Sequence, residues 1–338
     1  EYISGDGTDL TITSGNDIKL AVGSAGSVHS SGVAGTGNTV LGIDAGIGLE
    51  SGSNYNVFIG DLTGDSSLND AIHNVGVGYG SLSALTTGDK NTALGYQTLT
   101  ACTTGEENIA IGRNAMDACV SANYNIGIGT NAIGAVADVA STFNVAIGYD
   151  AMSTANHADI DGCIAIGRST LYALGTNAGA VGTVAIGNQA LTALTSGDKN
   201  IAIGYQAQQA QTTGARNTVI GYQAMYTADA GEDFNTVIGS QAGYYINNDA
   251  SHDNVIVGKN ALQGGTGTIL GNVAVGTGAM ESVANNNQTG TVAIGSSALN
   301  ALTSGAGNTA VGYQSLRDQT AGASNTAIGH HSLIVATG

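Results

Sequence analysis

Apolar and polar positions along the chain recur in a five-residue motif: Asn, a β-branched residue, a small residue, an aliphatic residue, Gly. Asn38-Thr-Val-Leu-Gly42, Asn91-Thr-Ala-Leu-Gly95, Asn200-Ile-Ala-Ile-Gly204, Asn217-Thr-Val-Ile-Gly221 and Asn325-Thr-Ala-Ile-Gly329 show it plainly. Twelve more copies fall into the same register, with motif glycines at 42, 60, 78, 95, 112, 129, 148, 167, 187, 204, 221, 239, 258, 276, 295, 312 and 329. That makes 17 units spaced 17 to 20 residues apart, about 18 on average. Such internal repetition outranks length as a guide to the fold.

Each column has a physical reading. Asn opens 14 of the 17 units, the exceptions being Cys163, Thr183 and Thr291. β-Branched or aliphatic residues at alternate positions predict a strand, and no apolar period of 3.6 survives across a unit, which excludes helix. Three residues past the Gly stands Ala, Ser or Thr, and the next position is Leu, Met or Ile in 13 units. A unit of this size cannot enclose a core, so it must bury apolar surface against its neighbours. The prediction is an all-β chain: a β-solenoid, a parallel β-roll or β-helix of about 17 stacked coils of 17–20 residues. At ~4.8 Å per strand it would be a rod of roughly 80 Å. The Asn column, with Asn91, Asn108, Asn125, Asn200 and Asn217 as examples, should form a stacked amide ladder.

Between the apolar columns lie Ser/Thr, Gly and Asp-rich corners such as Thr86-Thr-Gly-Asp-Lys90 and Thr195-Ser-Gly-Asp-Lys199. The longer units carry their extra residues there, around 153–162, 172–182 and 244–253, so insertions project from one edge. Residues 1–37 precede the repeat and read as short strands joined by Gly/Asp turns, a cap or a joint to a shaft. The expected organisation is therefore 1–37 as an N-terminal β cap and 38–338 as the solenoid. The chain stops half a coil after the last motif, an expected open end to be covered or continued.

Composition sharpens this picture. The 338 residues include 53 Gly and no Pro. Proline cannot donate to a ladder, so its absence fits a chain whose strands are nearly all interior. Eight basic against 25 acidic residues, net −17, argue against nucleic acid as a partner. No apolar run reaches the ~18 residues of a membrane span, and no signal peptide opens the chain.

Strings such as Asn-Thr-Ala-Ile-Gly-Tyr-Gln-Ala-Leu in tandem resemble the repeats of bacteriophage and environmental viral tail-fibre proteins. They are similar in logic to the head repeats of trimeric autotransporter adhesins. The opening Gly5-Asp-Gly-Thr-Asp9 and Leu10-Thr-Ile-Thr13 resemble segments that precede such repeats. The resemblance covers about 300 residues and is specific for architecture. It implies a homotrimeric, extracellular or virion-borne adhesive fibre. The residues support association independently: the two β-branched columns share one strand face and the Asn, Ala and Gly columns the other. Whichever face fills the coil, the other presents mostly apolar atoms over roughly 800 Å², more than the ~300–600 Å² that monomers expose.

The position after each motif Gly mixes Tyr79, Tyr96, Tyr205, Tyr222 and other tyrosines with charged residues. In adjacent coils Tyr79 with Tyr96, and Tyr205 with Tyr222, would stack into short aromatic ladders suited to a sugar face or a partner protein. The plainer alternative is that they cover the coil edge. Cys102 and Cys119 each lie seven residues past their Gly, in a column otherwise rich in Leu, Val and Ala. Stacking would place their Cα atoms ~4.8 Å apart, within the disulfide window of about 4.4–6.8 Å. They are either two buried thiols or a bridge, and Cys163 is a free thiol.

Metal ligation has weak candidates: His157 near Asp159 and Asp161, the pair His330 and His331, and the acidic pairs Glu106-Glu107 and Glu232-Asp233. A solvated loop explains each as well. No cofactor is expected. The hexapeptide period of acyltransferases fails at Thr100 and Gln209, no Gly-x-Ser-x-Gly elbow is present, and the acids scatter among turns without the recurrent pair a glycosidase needs. Ice binding would want flat Thr rows, whereas Thr shares its column with Val and Ile. The expectation is a non-enzymatic fibre or surface adhesin whose partners are further copies of itself and a host-surface glycan or protein. An end-to-end filament subunit is the alternative, and a glycan-active enzyme a distant third.

Overall fold

The computed structural model describes residues 35–134, 141–154, 160–174, 180–283 and 286–334. The expected cap over 1–37 lies outside them except for its last three residues. Among the described residues there is no helix, and so none long and apolar enough to cross a membrane. Seventeen three-residue strands, one per motif, form a single parallel sheet. They are called here rungs 1 (Thr39–Leu41) to 17 (Thr326–Ile328) in chain order. The protein is a β-solenoid.

Register holds column on column. Ile201 pairs with Thr218, Ala202 with Val219 and Ile203 with Ile220. Rungs 7 and 8, 19 residues apart, pair Val145 with Ile164 and Ile147 with Ile166 without a slip. Length differences are therefore absorbed off the sheet. A one-residue slip would turn every side chain to the opposite face, so the fixed alternation of the motif pins the pairing.

The structure decides which strand face turns inward. Asn and the small middle residue point into the coil: Asn91, Ala93, Asn108, Ala110, Asn200 and Ala202 are all buried. The two β-branched columns point outward, half-exposed or exposed along the rod. The cause is thickness. The residue four past the Gly crosses the interior and meets the middle column, so a Cβ on Gly127 would lie 2.8 Å from Met116 Cγ. Three large middle residues face a glycine, Phe58 against Gly64, Val40 against Gly46 and Val237 against Gly243, while Val219 and Ile256 share their coils with Met225 and Leu262. The larger aliphatics of the core, Leu82, Leu99, Met116, Met152, Leu171 and Leu191, fill the other side of the coil. Each is worth roughly 1.5–3 kcal/mol of burial.

Corners are made by left-handed backbone. The residue before each Asn, and those two and four past the Gly, carry positive φ even where they are Tyr, Gln, Leu or Met, as at Tyr124 (59°), Gln223 (51°) and Leu99 (51°). Non-glycine residues rarely adopt this region, and here the stacked rungs enforce it. The motif glycine is stricter. Gly204 has φ of 140°, and a Cβ there would lie 2.3 Å from the carbonyl oxygen of Gly221 one rung on. The backbones pass too closely at that corner for any side chain.

The Asn column is the ladder the sequence suggests. Asn108 Nδ2 donates to Asn91 Oδ1 (3.1 Å) and Asn217 Nδ2 to Asn200 Oδ1 (3.3 Å). The same oxygens accept the backbone N–H of the next Asn, at 3.1 Å for Asn108 and 3.0 Å for Asn217. Asn91 Nδ2 also reaches the Gly105 carbonyl (2.7 Å) and Asn108 Nδ2 the Ala122 carbonyl (2.8 Å). Each side chain thus ties its strand to the rung behind and to the turn ahead, satisfying backbone groups that the three-residue strands leave unpaired.

Candidate interaction surface

The outward strand face is the largest uniform surface of the described residues. Two parallel rows of Ile, Val, Leu and Thr run its length, with Ile109, Ile201, Ile238 and Ile294 between 36% and 39% exposed. Aromatic columns border it on both sides. After the Gly, Tyr79 stacks on Tyr96 with centroids 5.4 Å apart and Tyr205 on Tyr222 at 5.5 Å, all four exposed. Before the Asn, Tyr55 stacks on His73 (5.2 Å) and Tyr124 on Phe143 (5.0 Å). Where the tyrosine ladder breaks, a guanidinium takes over: Arg168 lies 6.0 Å from the Tyr149 ring centroid. The rim continues into glutamines that sequence reading left aside. Gln206 donates to Gln189 (3.0 Å) and Gln223 to Gln206 (2.8 Å), a polar ladder beside Tyr205 and Tyr222.

Cys102 and Cys119 are free thiols, fully buried in adjacent coils. Each points at the carbonyl three residues on, Gly105 or Ala122, at 3.7 Å. The hydrogen bond between the two thiols, reinforced by burial, pushes the Cys119 thiol up, and the same bond lowers that of Cys102. Cys163 is buried and free as well, and burial pushes its thiol up to about 11. All three sulfurs are closed off from solvent.

The metal candidates disperse. His157 and Asp159 lie outside the described residues, and Asp161 accepts a hydrogen bond from Thr142 (2.6 Å). His330 and His331 stack on each other (4.0 Å) and on Tyr313. Glu107 pairs with Lys90 at 2.8 Å on the surface. Glu232 and Asp233 part company, Glu232 turning into the core while Asp233 accepts from the Ala215 N–H (2.7 Å).

One convergence escaped the sequence. The carboxylates of Asp229, Glu232 and Asp249 lie within 4.8 Å of one another. Glu232 is fully buried, accepting from Gln211 Nε2 (3.3 Å) and the Asn248 N–H (2.9 Å), and Gln211 accepts from the buried Gln208 (3.4 Å). Burial, aided by the charge of Asp229, pushes the Glu232 carboxyl up to about 7. Glu232, with no solvent exposure, cannot itself reach a glycosidic bond, whereas Asp229 and Asp249 are exposed. The signal was present in Gln208, which occupies a column that 13 of 17 units fill with Leu, Met or Ile. Comparison with family models, curated proteins and solved structures gives no match.

Proposed function

We propose that this chain is a non-enzymatic, rigid fibre segment that associates side by side, three copies about one axis, and presents the outer edges of its rods to a surface. The reading places it on a virion tail fibre or a similar extracellular adhesin. The outward β-branched face carries it. At ~4.8 Å per strand, with a strip ~10 Å wide, this face amounts to about 800 Å² per copy, the contribution one partner makes to a standard stable interface. Its composition, aliphatic in the middle with tyrosines at the rims, matches the apolar core and aromatic enrichment of such interfaces. Three copies would multiply individually weak contacts through effective concentration.

Solution mass tests this. The 33.3 kDa chain should sediment at about 100 kDa as a closed three-copy assembly. Replacing Ile201, Ile203 and Ile220 together with Lys should yield folded single chains. A monomeric wild type defeats the reading, and open-ended polymers would favour a filament subunit instead.

A further inference from the structure

We propose that the rod carries a carbohydrate subsite in the notch beside Tyr245, built to hold one neutral pyranose residue of a surface glycan. This rests on the adhesive reading above. The notch lies off the apolar sheet face, on the edge where insertions project, and remains open in a side-by-side assembly.

Its origin is a local departure from the repeat. Six residues past the Gly, Ala is the commonest residue, in 8 of the 17 units, as at Ala84, Ala101, Ala193, Ala210 and Ala301. The unit of rung 12 (Thr236–Ile238) places Tyr245 there, and the next unit, after rung 13 (Val255–Val257), has Gly264 and Gly265. A large ring therefore stands beside two glycines of the following coil. The result is a cavity of about 320 Å³ lined by Thr227, Tyr245, Asn247, Gly264, Gly265 and Thr266. That is the low end of the range for small-molecule sites, enough for a single sugar ring.

The chemistry suits a sugar. Tyr245 is 52% exposed, and its ring is fixed edge-on against Tyr244 (4.6 Å, 71°), which stacks on Tyr226 (5.1 Å). A rigid aromatic face loses little entropy when the C–H face of a pyranose packs on it. Asn247 stands at the polar end. Oriented to donate, its amide nitrogen lies 2.5 and 3.0 Å from the two Asp229 carboxylate oxygens, which fixes the side chain at the rim of the notch. The Thr227 hydroxyl, which donates to the Tyr244 carbonyl (3.0 Å), has lone pairs to accept from a sugar hydroxyl. Charge selects the class of sugar: Asp229 and Asp249 are exposed beside the notch and the chain is net −17. Uronic and sialic acids would be repelled.

Saturation-transfer NMR on the full chain tests the subsite. The probes are the methyl glycosides of glucose, galactose, mannose and N-acetylglucosamine, with that of sialic acid as the acidic control. At least one neutral pyranoside should receive saturation at its ring protons, and the acidic one none. Tyr245→Ala restores the residue this column most often carries, so the coil should fold as before while affinity falls at least about tenfold, the scale of one lost aromatic contact. Gly265→Leu should fill the notch and abolish binding. No saturation of any neutral pyranoside, equal binding by Tyr245→Ala, or preference for the acidic sugar would each overturn the proposal. A three-copy mass with no sugar bound removes the subsite and leaves the rod reading standing.

Discussion

Rungs 4–6 (Thr92–Leu94, Ile109–Ile111, Ile126–Ile128) and rungs 10–12 (Ile201–Ile203, Thr218–Ile220, Thr236–Ile238) are the same structure on one side and opposites on the other. In both, Asn ladders run unbroken and the strands pair in one register. Across the coil, the first region buries Leu99, Cys102, Met116 and Cys119, whereas the second sets buried Gln208, Gln211 and Glu232 among the buried Met225 and Ile246. Register therefore does not require a wholly apolar interior opposite the sheet. It is held by the Asn column, the motif glycine and the strand alternation, which frees the far edge to vary. The aromatic cluster and the acids sit on that freed edge.

The sharpest way to break the shared half is at the Gly corner. Gly221→Ala, at φ of 144° and with a Cβ 2.3 Å from the Gly239 carbonyl oxygen, should cost about 3–5 kcal/mol. Hydrogen exchange should show the neighbouring rungs opening, and unchanged protection would mean the close approach does not constrain the fold. Next comes the ladder. Asn108→Ala and Asn217→Ala each strand several buried partners and should cost about 2–4 kcal/mol alike in both regions. Unequal losses would show that the far-side packing does help to hold register.

The regions should diverge with pH. Folding raises Glu232 from its ordinary 4.5 to about 7, so the folded state holds this proton more tightly than the unfolded chain. Its contribution is intact below about pH 4.5 and is lost as pH rises to about 7, some 3 kcal/mol in all. Rungs 10–12 should open more readily at pH 8 than at pH 5, and Glu232→Gln should flatten that slope; a slope that survives points to another group. The smallest effect belongs to the thiols. Cys102→Ala removes a small apolar group with a weak hydrogen bond and should cost about 1 kcal/mol with no response to reductant. Stabilisation by an oxidant would mean that a bridge forms.

The columns, the pairing of Ile203 with Ile220, the Asn ladder and the stacked tyrosine pairs were legible in the sequence. Each follows from placing equal positions of the repeat above one another. The inward face was not. Alternation shows that the two strand faces differ, and only the thickness of the coil, measured at Gly127 against Met116, decides that the small residues go inside. The acid cluster was hidden for a related reason: Asp229, Glu232 and Asp249 come from two successive turns, where insertion shifts the local period. The contact of Tyr245 with Gly264 and Gly265 likewise depends on which residues of neighbouring coils overlie each other off the sheet.

Cross-linking through the outward column tests the central claim most directly. In a background with Cys102, Cys119 and Cys163 replaced by Ala, Ile203→Cys puts a thiol on the apolar face and Ala193→Cys puts one on the far edge. A short bismaleimide should join copies through position 203 in high yield and leave position 193 uncoupled. Cross-linking at 193 with none at 203, or none at either, would contradict an assembly closed over the β-branched face.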